Sequence, residues 1–210
     1  MDAFMALGRH SQMIMVLPKL DIVVTMTGIL RDDEFYPIVR LITDVSRAAK
    51  SDTPLPADPI AQGLLAAAIH NAATENPTAV GPTPDLAREI SGKVFKFSDN
   101  ELHVKSFALH FFDQDSSWEI TTDTGKDHSI QRFSGLMGLD GVFRKSPPAF
   151  YGINAVKARW IKEHTFEIDR RILGHSDTQL WTLTFDGNKV EVAFEDTDGT
   201  EARLHGEIAD

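Results

Sequence analysis

The sequence predicts a mainly β protein, α+β overall: an N-terminal β-hairpin with one or two helices, then an antiparallel barrel or sandwich. Three observations carry this. Two apolar runs near the start are separated by a turn-like break. A stretch with helical spacing follows them. From Ile90 onward the pattern changes to a period of two, broken at short, even intervals by turn residues.

Met13 to Leu17 is continuously apolar, and Ile22 to Met26 nearly so, with Pro18-Lys19-Leu20-Asp21 between them. Five-residue apolar runs bounded by turn signals fit strands buried on both faces. Asp32-Asp33-Glu34 then puts acid where a helix should begin, and Pro37 suits a first turn. Ile38, Leu41, Ile42, Val45 and Ala49 repeat at helical spacing. Residues 51 to 59, SDTPLPADP, read as a proline-rich connector. Asp58 and Pro59 are a cap and a first residue for a second helix, whose face would be Ile60, Leu64, Ala67, Ala68 and Ala72. TENPTAVGPTP, residues 74 to 84, ends it.

Ten segments then read as strands: ISGKVFKF, HVKSFALHFF, SWEITT, SIQRFSG, GVFRK, NAVKARWI, HTFEIDRRIL, QLWTLTF, KVEVAF and EARLHGEI. Phe185 to Lys189, FDGNK, is a hairpin signal, and Asp198-Gly199 is a second. Trp181, Leu183 and Phe185 share one face before the first hairpin; Val190, Val192 and Phe194 share one after it.

The composition narrows the function classes. The chain has 210 residues, is 42% hydrophobic and 25% charged, and has no cysteine. Disulfides, thiolate metal sites and cysteine nucleophiles are excluded. A net charge of −10 argues against nucleic acid, which needs clustered Lys and Arg. MDAFMALGRH lacks the pattern of a signal peptide. Lys19 and Asp21 cut the longest apolar runs, so no membrane span is expected. The expectation is a soluble chain whose compartment is left open.

FMALGRHSQMIMVLPKLDIVVTMTG resembles the last strand pair of serine hydrolases related to class C β-lactamases, penicillin-binding D-Ala-D-Ala peptidases and D-aminopeptidases. The order of Gly8, Gln12, Pro18, Leu20 and Asp21 carries the resemblance, and residues 33 to 50 resemble the family's C-terminal helix. ISGKVFKFSDN, GLDGVFRKS, VKARWIKEHTFEID and WTLTFDGNKVEV resemble the lipocalin-like accessory barrel of some members. The resemblance implies a division at 1–50 (hydrolase hairpin and helix), 51–84 (linker with short helix) and 85–210 (antiparallel barrel). It implies acylation of a serine helped by lysine and tyrosine, but the family's S-x-x-K is missing. Ser46 and Lys50 are four apart, and Tyr151 and Asn154 form Y-x-x-N rather than Y-x-N. The expected role is therefore a noncatalytic C-terminal region of such a hydrolase, its barrel shaping substrate access or assembly. The alternative is an independent lipocalin-like barrel for a small molecule.

Only one cleft element, the family's K-T-G or H-x-G strand, has a counterpart, at Arg9, His10 and Ser11, or at His10, Ser11 and Gln12 in a shifted alignment; the resemblance places it against substrate or the general base. On a strand, His10 and Ser11 would face opposite ways, so no nucleophile–base pair is expected. His103, His110, His164, His175 and His205 lack ligand spacing, and no metal or cofactor is expected. Asp113 with Asp115, and Glu195, Asp196 and Asp198, are acidic loop groups that read as solvated turns before calcium ligands. Trp118, Trp160 and Trp181, with thirteen phenylalanines, either line a ligand cavity or fill a core. The apolar hairpin is expected to self-associate or to meet the missing hydrolase core.

Overall fold

The computed structural model describes residues 3–30, 36–111, 115–123, 129–148, 152–175 and 177–209. The chain forms two units, Met1–Thr74 and Glu75–Asp210.

In the first unit, the apolar runs form β2 (Gln12–Leu17) and β3 (Ile22–Met26) of an antiparallel sheet, with Met15 opposite Val24. Pro18–Leu20 turns between them, and Asp21 closes the turn in the left-handed region at φ 51°. The expected two-stranded hairpin has a third member, β1 (Phe4–Gly8), antiparallel to β2 with Ala6 opposite Ile14. The sheet order is β1-β2-β3. Met13, Met15 and Leu17 point to one face and are buried against α1 (Tyr36–Ala48), through Ile38, Leu41, Ile42 and Val45. Burial on both faces does not hold within this unit: Ile14 stays 54% exposed and Val23 63%. The acidic triplet expected to open α1 lies outside the described residues.

Asp58 caps α2 (Pro59–Ala73), its carboxylate accepting from the Ile60 and Ala61 amides at 3.1 and 3.0 Å. Each residue of α2 is exposed, including the expected face of Ile60, Leu64 and the alanines. Among the described residues no helix is long and apolar enough to cross a membrane.

The second unit begins with a short helix, α3 (Leu86–Ile90), in place of the expected start of a strand at Ile90. Its Ala87 and Ile90 belong to the barrel core. The ten expected segments are all strands: β4 (Val94–Phe97), β5 (Val104–His110), β6 (Ser117–Asp123), β7 (Ile130–Leu136), β8 (Arg144–Lys145), β9 (Ile153–Lys162), β10 (Thr165–Leu173), β11 (Thr178–Asp186), β12 (Lys189–Asp196) and β13 (Glu201–Ile208). They form one antiparallel sheet in the order β7-β6-β5-β4-β13-β12-β11-β10-β9-β8. The sheet curls until its ends meet. Gly138, just past β7, forms a parallel bridge to Lys157 of β9. Its amide donates to the Val156 carbonyl at 3.1 Å, and its carbonyl accepts from the Ala158 amide at 2.8 Å. The barrel is nearly closed: this bridge joins the two ends of the sheet at one point and so limits the open edge that invites association.

Alternation decides what fills the barrel. Phe166, Ile168 and Ile172 of β10, Leu183 and Phe185 of β11, and Val190, Val192 and Phe194 of β12 are all buried. Trp160 stacks obliquely on Phe166 with centroids 4.9 Å apart, and Phe111 meets Phe166 edge-on at 5.2 Å. Gly187, at φ 57°, allows the two-residue turn that pairs Asp186 with Lys189.

Candidate functional site

Arg9, His10 and Ser11 do not extend a strand. They form a tight 3-10 turn between β1 and β2, with His10 at φ 56° and Ser11 at φ 66°. Non-glycine residues rarely hold this left-handed conformation without outside support. The support comes from the chain leaving β3. The Leu30 amide donates to the His10 carbonyl at 3.3 Å, and His10 Nδ1 lies 3.3 Å from the Leu30 carbonyl oxygen. Gln12 Nε2 donates to the Gly28 carbonyl. His10 is 2% exposed and Ser11 8%. The alternation that would separate their side chains does not apply, and both are inside. What this turn does in the chain as it stands is clasp the two ends of the small sheet.

Ser46 Oγ donates to the Ile42 carbonyl of its own helix at 2.7 Å, which directs the hydroxyl back onto the helix backbone. Tyr151 and Asp113 lie outside the described residues. His110 Nε2 stands 3.7 Å from Glu119 Oε1 on the neighbouring strand. Asp196 satisfies its own turn: Oδ1 accepts from the Asp198 and Thr200 amides, both at 2.9 Å. Among the described residues no three His, Asp or Glu side chains come together as metal ligands.

The polar group that tertiary structure does assemble is inside the barrel. Arg170 follows Phe166 and Ile168 on the inward side of β10. Its Nε donates to Asn154 Oδ1 of β9 at 2.8 Å, and its Nη1 to Gln179 Oε1 of β11 at 2.8 Å. Trp181 Nε1 also reaches Gln179 Oε1, at 3.4 Å. The guanidinium carbon is 5.5 Å from the ring centre of Trp118, a cation–π distance. Asn154 is 3% exposed. Beside this group is a cavity of about 20 Å³, lined by Phe107, Trp118, Ile120, Val156, Ile168, Arg170 and Trp181. That is room for about one water molecule. Trp118 and Trp181 were candidates from the sequence; Arg170, Asn154 and Gln179 were not. The period of two was the available signal, since Phe166, Ile168, Arg170 and Ile172 fall on one face of FEIDRRIL.

The larger concavities are on the outer wall. One, of about 940 Å³, is bordered by Lys96, Asp186, Lys189, Glu191 and Glu207. Its charges pair locally, Lys189 with Glu207 at 3.4 Å and Glu191 with Arg203 at 2.7 Å. A third group sits at the closure. Arg144 Nη2 and Nη1 donate to the two oxygens of Asp140 at 2.9 and 3.2 Å, and the Val142 amide adds a bond at 3.1 Å. The hydrogen bonds from Arg144 hold the Asp140 carboxyl below its ordinary range, outweighing burial, which acts the other way.

No known family model matches the chain, and no curated protein does. Among solved structures it is similar to secretory abundant heat soluble protein 4 from Ramazzottius varieornatus at 11% identity and a TM-score of 0.36, over 50% of this chain and 69% of that one. It is similar to a protein described as the REP1-NXSQ fatty acid transporter at 11% identity and a TM-score of 0.40, over 59% of this chain and 98% of that one.

Proposed function

We propose that this chain is a noncatalytic C-terminal region of a β-lactamase-related serine hydrolase, in which the first unit completes the hydrolase sheet and the barrel shapes access or assembly. The observation that carries this is β1. Among the described residues it pairs with β2 on one side only, and all five of its residues are exposed. An open apolar edge is a template for a further strand. The residues behind the resemblance have matching local roles: Gly8 and Gln12 flank the first turn, while Pro18, Leu20 and Asp21 form the second. The test is two-sided. The isolated chain should neither turn over penicillins or D-amino-acid amides nor be labelled at serine by a fluorophosphonate. A hydrolase core of this class lacking its final strands should gain activity when the first unit is co-expressed with it. Saturable turnover with serine labelling of the isolated chain, or a core indifferent to the first unit, overturns the proposal.

A second reading, a small-molecule barrel of lipocalin type, is favoured by one observation: an inward arginine beside a cavity and two tryptophans. The volume weighs against it, because about 20 Å³ holds no organic ligand without the barrel opening. Titration with anilinonaphthalene sulfonate, an anionic aromatic probe, decides the matter. Quenching of tryptophan emission that the Arg170→Met variant abolishes would favour the ligand barrel.

A further inference from the structure

The seam of the barrel is weaker than the junctions on either side of it. β6 joins β7 by a ladder running from Ser117 opposite Leu136 to Asp123 opposite Ile130, and β9 joins β10 along its whole length. Among the described residues, the two ends of the sheet meet instead at the one bridge of Gly138 to Lys157, with its two hydrogen bonds. The loop that makes this bridge, 138–144, starts and finishes on β9, since Arg144 lies opposite Val156. Val156 is buried and lines the cavity beside Arg170. The wall that parts when Gly138 lets go is therefore the wall next to the internal arginine.

A strap holds that loop from outside. Residues 75–83 run ahead of α3, and each of them is exposed. The Thr78 amide and hydroxyl both donate to the Asp140 carbonyl, at 2.7 and 3.1 Å, and the Phe143 amide donates to Glu75 Oε2 at 2.9 Å. Thr78 sits over Gly141, where a Cβ would come within 2.8 Å of its Oγ1. Farther along, Val80, Gly81 and Pro82 border a hollow with Leu139 and Trp160, so the strap passes from the loop to β9 and touches both sides of the seam. A segment held by exposed hydrogen bonds, with no buried side chain of its own, detaches at far less cost than global unfolding. We propose that residues 75–83 are a latch: docked on the 138–144 loop they hold the β7–β9 seam shut, and when they lift the barrel opens there without unfolding. The latch begins one residue after Thr74, the C-cap of α2, which places it on the chain path between the two units. It concerns the barrel alone and stands whichever reading of the function holds.

The experiment measures amide hydrogen exchange on the full 210-residue chain. Glu75→Ala with Thr78→Pro removes the three strap bonds and alters only exposed positions. Exchange at Gly138 and Ala158, whose amides close the seam, should accelerate at least about tenfold, while Leu183 and Val192 stay within about twofold of wild type. Glu75→Gln alone keeps an acceptor oxygen and should exchange like wild type. The converse test is a lock. Thr78 Cβ lies 3.8 Å from the place of a Gly141 Cβ, a usual disulfide separation, and the chain has no cysteine to interfere. Gly141 has φ 80°, which strains any side chain, so Thr78→Cys with Gly141→Cys is compared with itself, oxidised against reduced. Oxidation should slow the two seam amides at least about fivefold and leave Leu183 and Val192 unchanged. Acceleration spread evenly over all four amides, seam amides indifferent to the Glu75 and Thr78 changes, or a lock that leaves them unaltered would each overturn the latch. Should the double variant fold poorly, the lock decides the question by itself.

Discussion

Gly206 of β13 lies directly opposite Phe97 of β4, and the phenylalanine ring lies over the space where a glycine side chain would be. A Cβ at Gly206 would come within 2.7 Å of Phe97 Cε1. Phe97 is 8% exposed, so its ring has little room to retreat. Gly206→Ala should therefore destabilise the barrel by about 1–3 kcal/mol, the usual cost of overfilling a packed core. Adding Phe97→Leu should recover part of that loss. Thermal or urea unfolding of the two variants measures both, and an unchanged midpoint in Gly206→Ala would refute the steric argument.

Gly138 makes the bridge that closes the barrel, and a Cβ there would run into the Val142 carbonyl oxygen. Gly138→Ala should break the two closing hydrogen bonds as well as crowd the loop, at a cost of about 3 kcal/mol. The effect should be local. Amide exchange at Gly138 and Ala158 should accelerate far more than at Leu183 or Val192, on strands remote from the seam in the order of the sheet. Uniform acceleration would mean the seam does not open separately.

Asp140 and Arg144 link acidity to stability at the same seam. The folded carboxyl titrates below the ordinary aspartate value of about 3.9. A depressed folded value means stability that is complete at neutral pH, declines once the pH falls past the ordinary value, and is gone below the folded one. The pair is partly exposed, 24% for Asp140 and 32% for Arg144, so its contribution should be about 1 kcal/mol. Asp140→Asn should cost that amount at pH 7, and the difference from wild type should shrink as the pH falls through the ordinary aspartate range and vanish once the folded carboxyl is protonated. A difference independent of pH would show that the ion pair is not its source.

The barrel should fold without the first unit. Its core is continuous from Ala87 to Leu204. Its N-terminal strap is tied down within the unit: Thr78 N donates to the Asp140 carbonyl at 2.7 Å, and Glu75 Oε2 accepts from the Phe143 amide at 2.9 Å. A fragment starting at Glu75 should unfold cooperatively, with Trp118 buried in its native state. A fragment starting at Val94 should lose stability, because it lacks the buried Ala87 and Ile90. Equal stability of the two would mean that α3 adds nothing to the core.

Local pattern alone determined a large part of this molecule. The ten barrel segments, the FDGNK turn at Gly187, the Asp58 cap and the α1 stripe of Ile38, Leu41, Ile42 and Val45 depend on neighbours a few residues away, so period and turn chemistry reveal them. Tertiary structure decided the rest. FMALG has no alternation; it is a strand because the backbone of β2 is beside it. Arg9 to Ser11 reads as the end of a strand, yet bonds to Leu30, twenty residues from His10, hold it in a left-handed turn. Period two puts Arg170 on an inward face, but only the pairing of β9, β10 and β11 brings Asn154 and Gln179 to its nitrogens. Nor does the sequence say which face of an all-apolar strand is covered. Met15 and Ile14 are equally apolar neighbours, and the position of α1 buries the first and leaves the second exposed, because burial is set by what packs from a distance rather than by the residue itself.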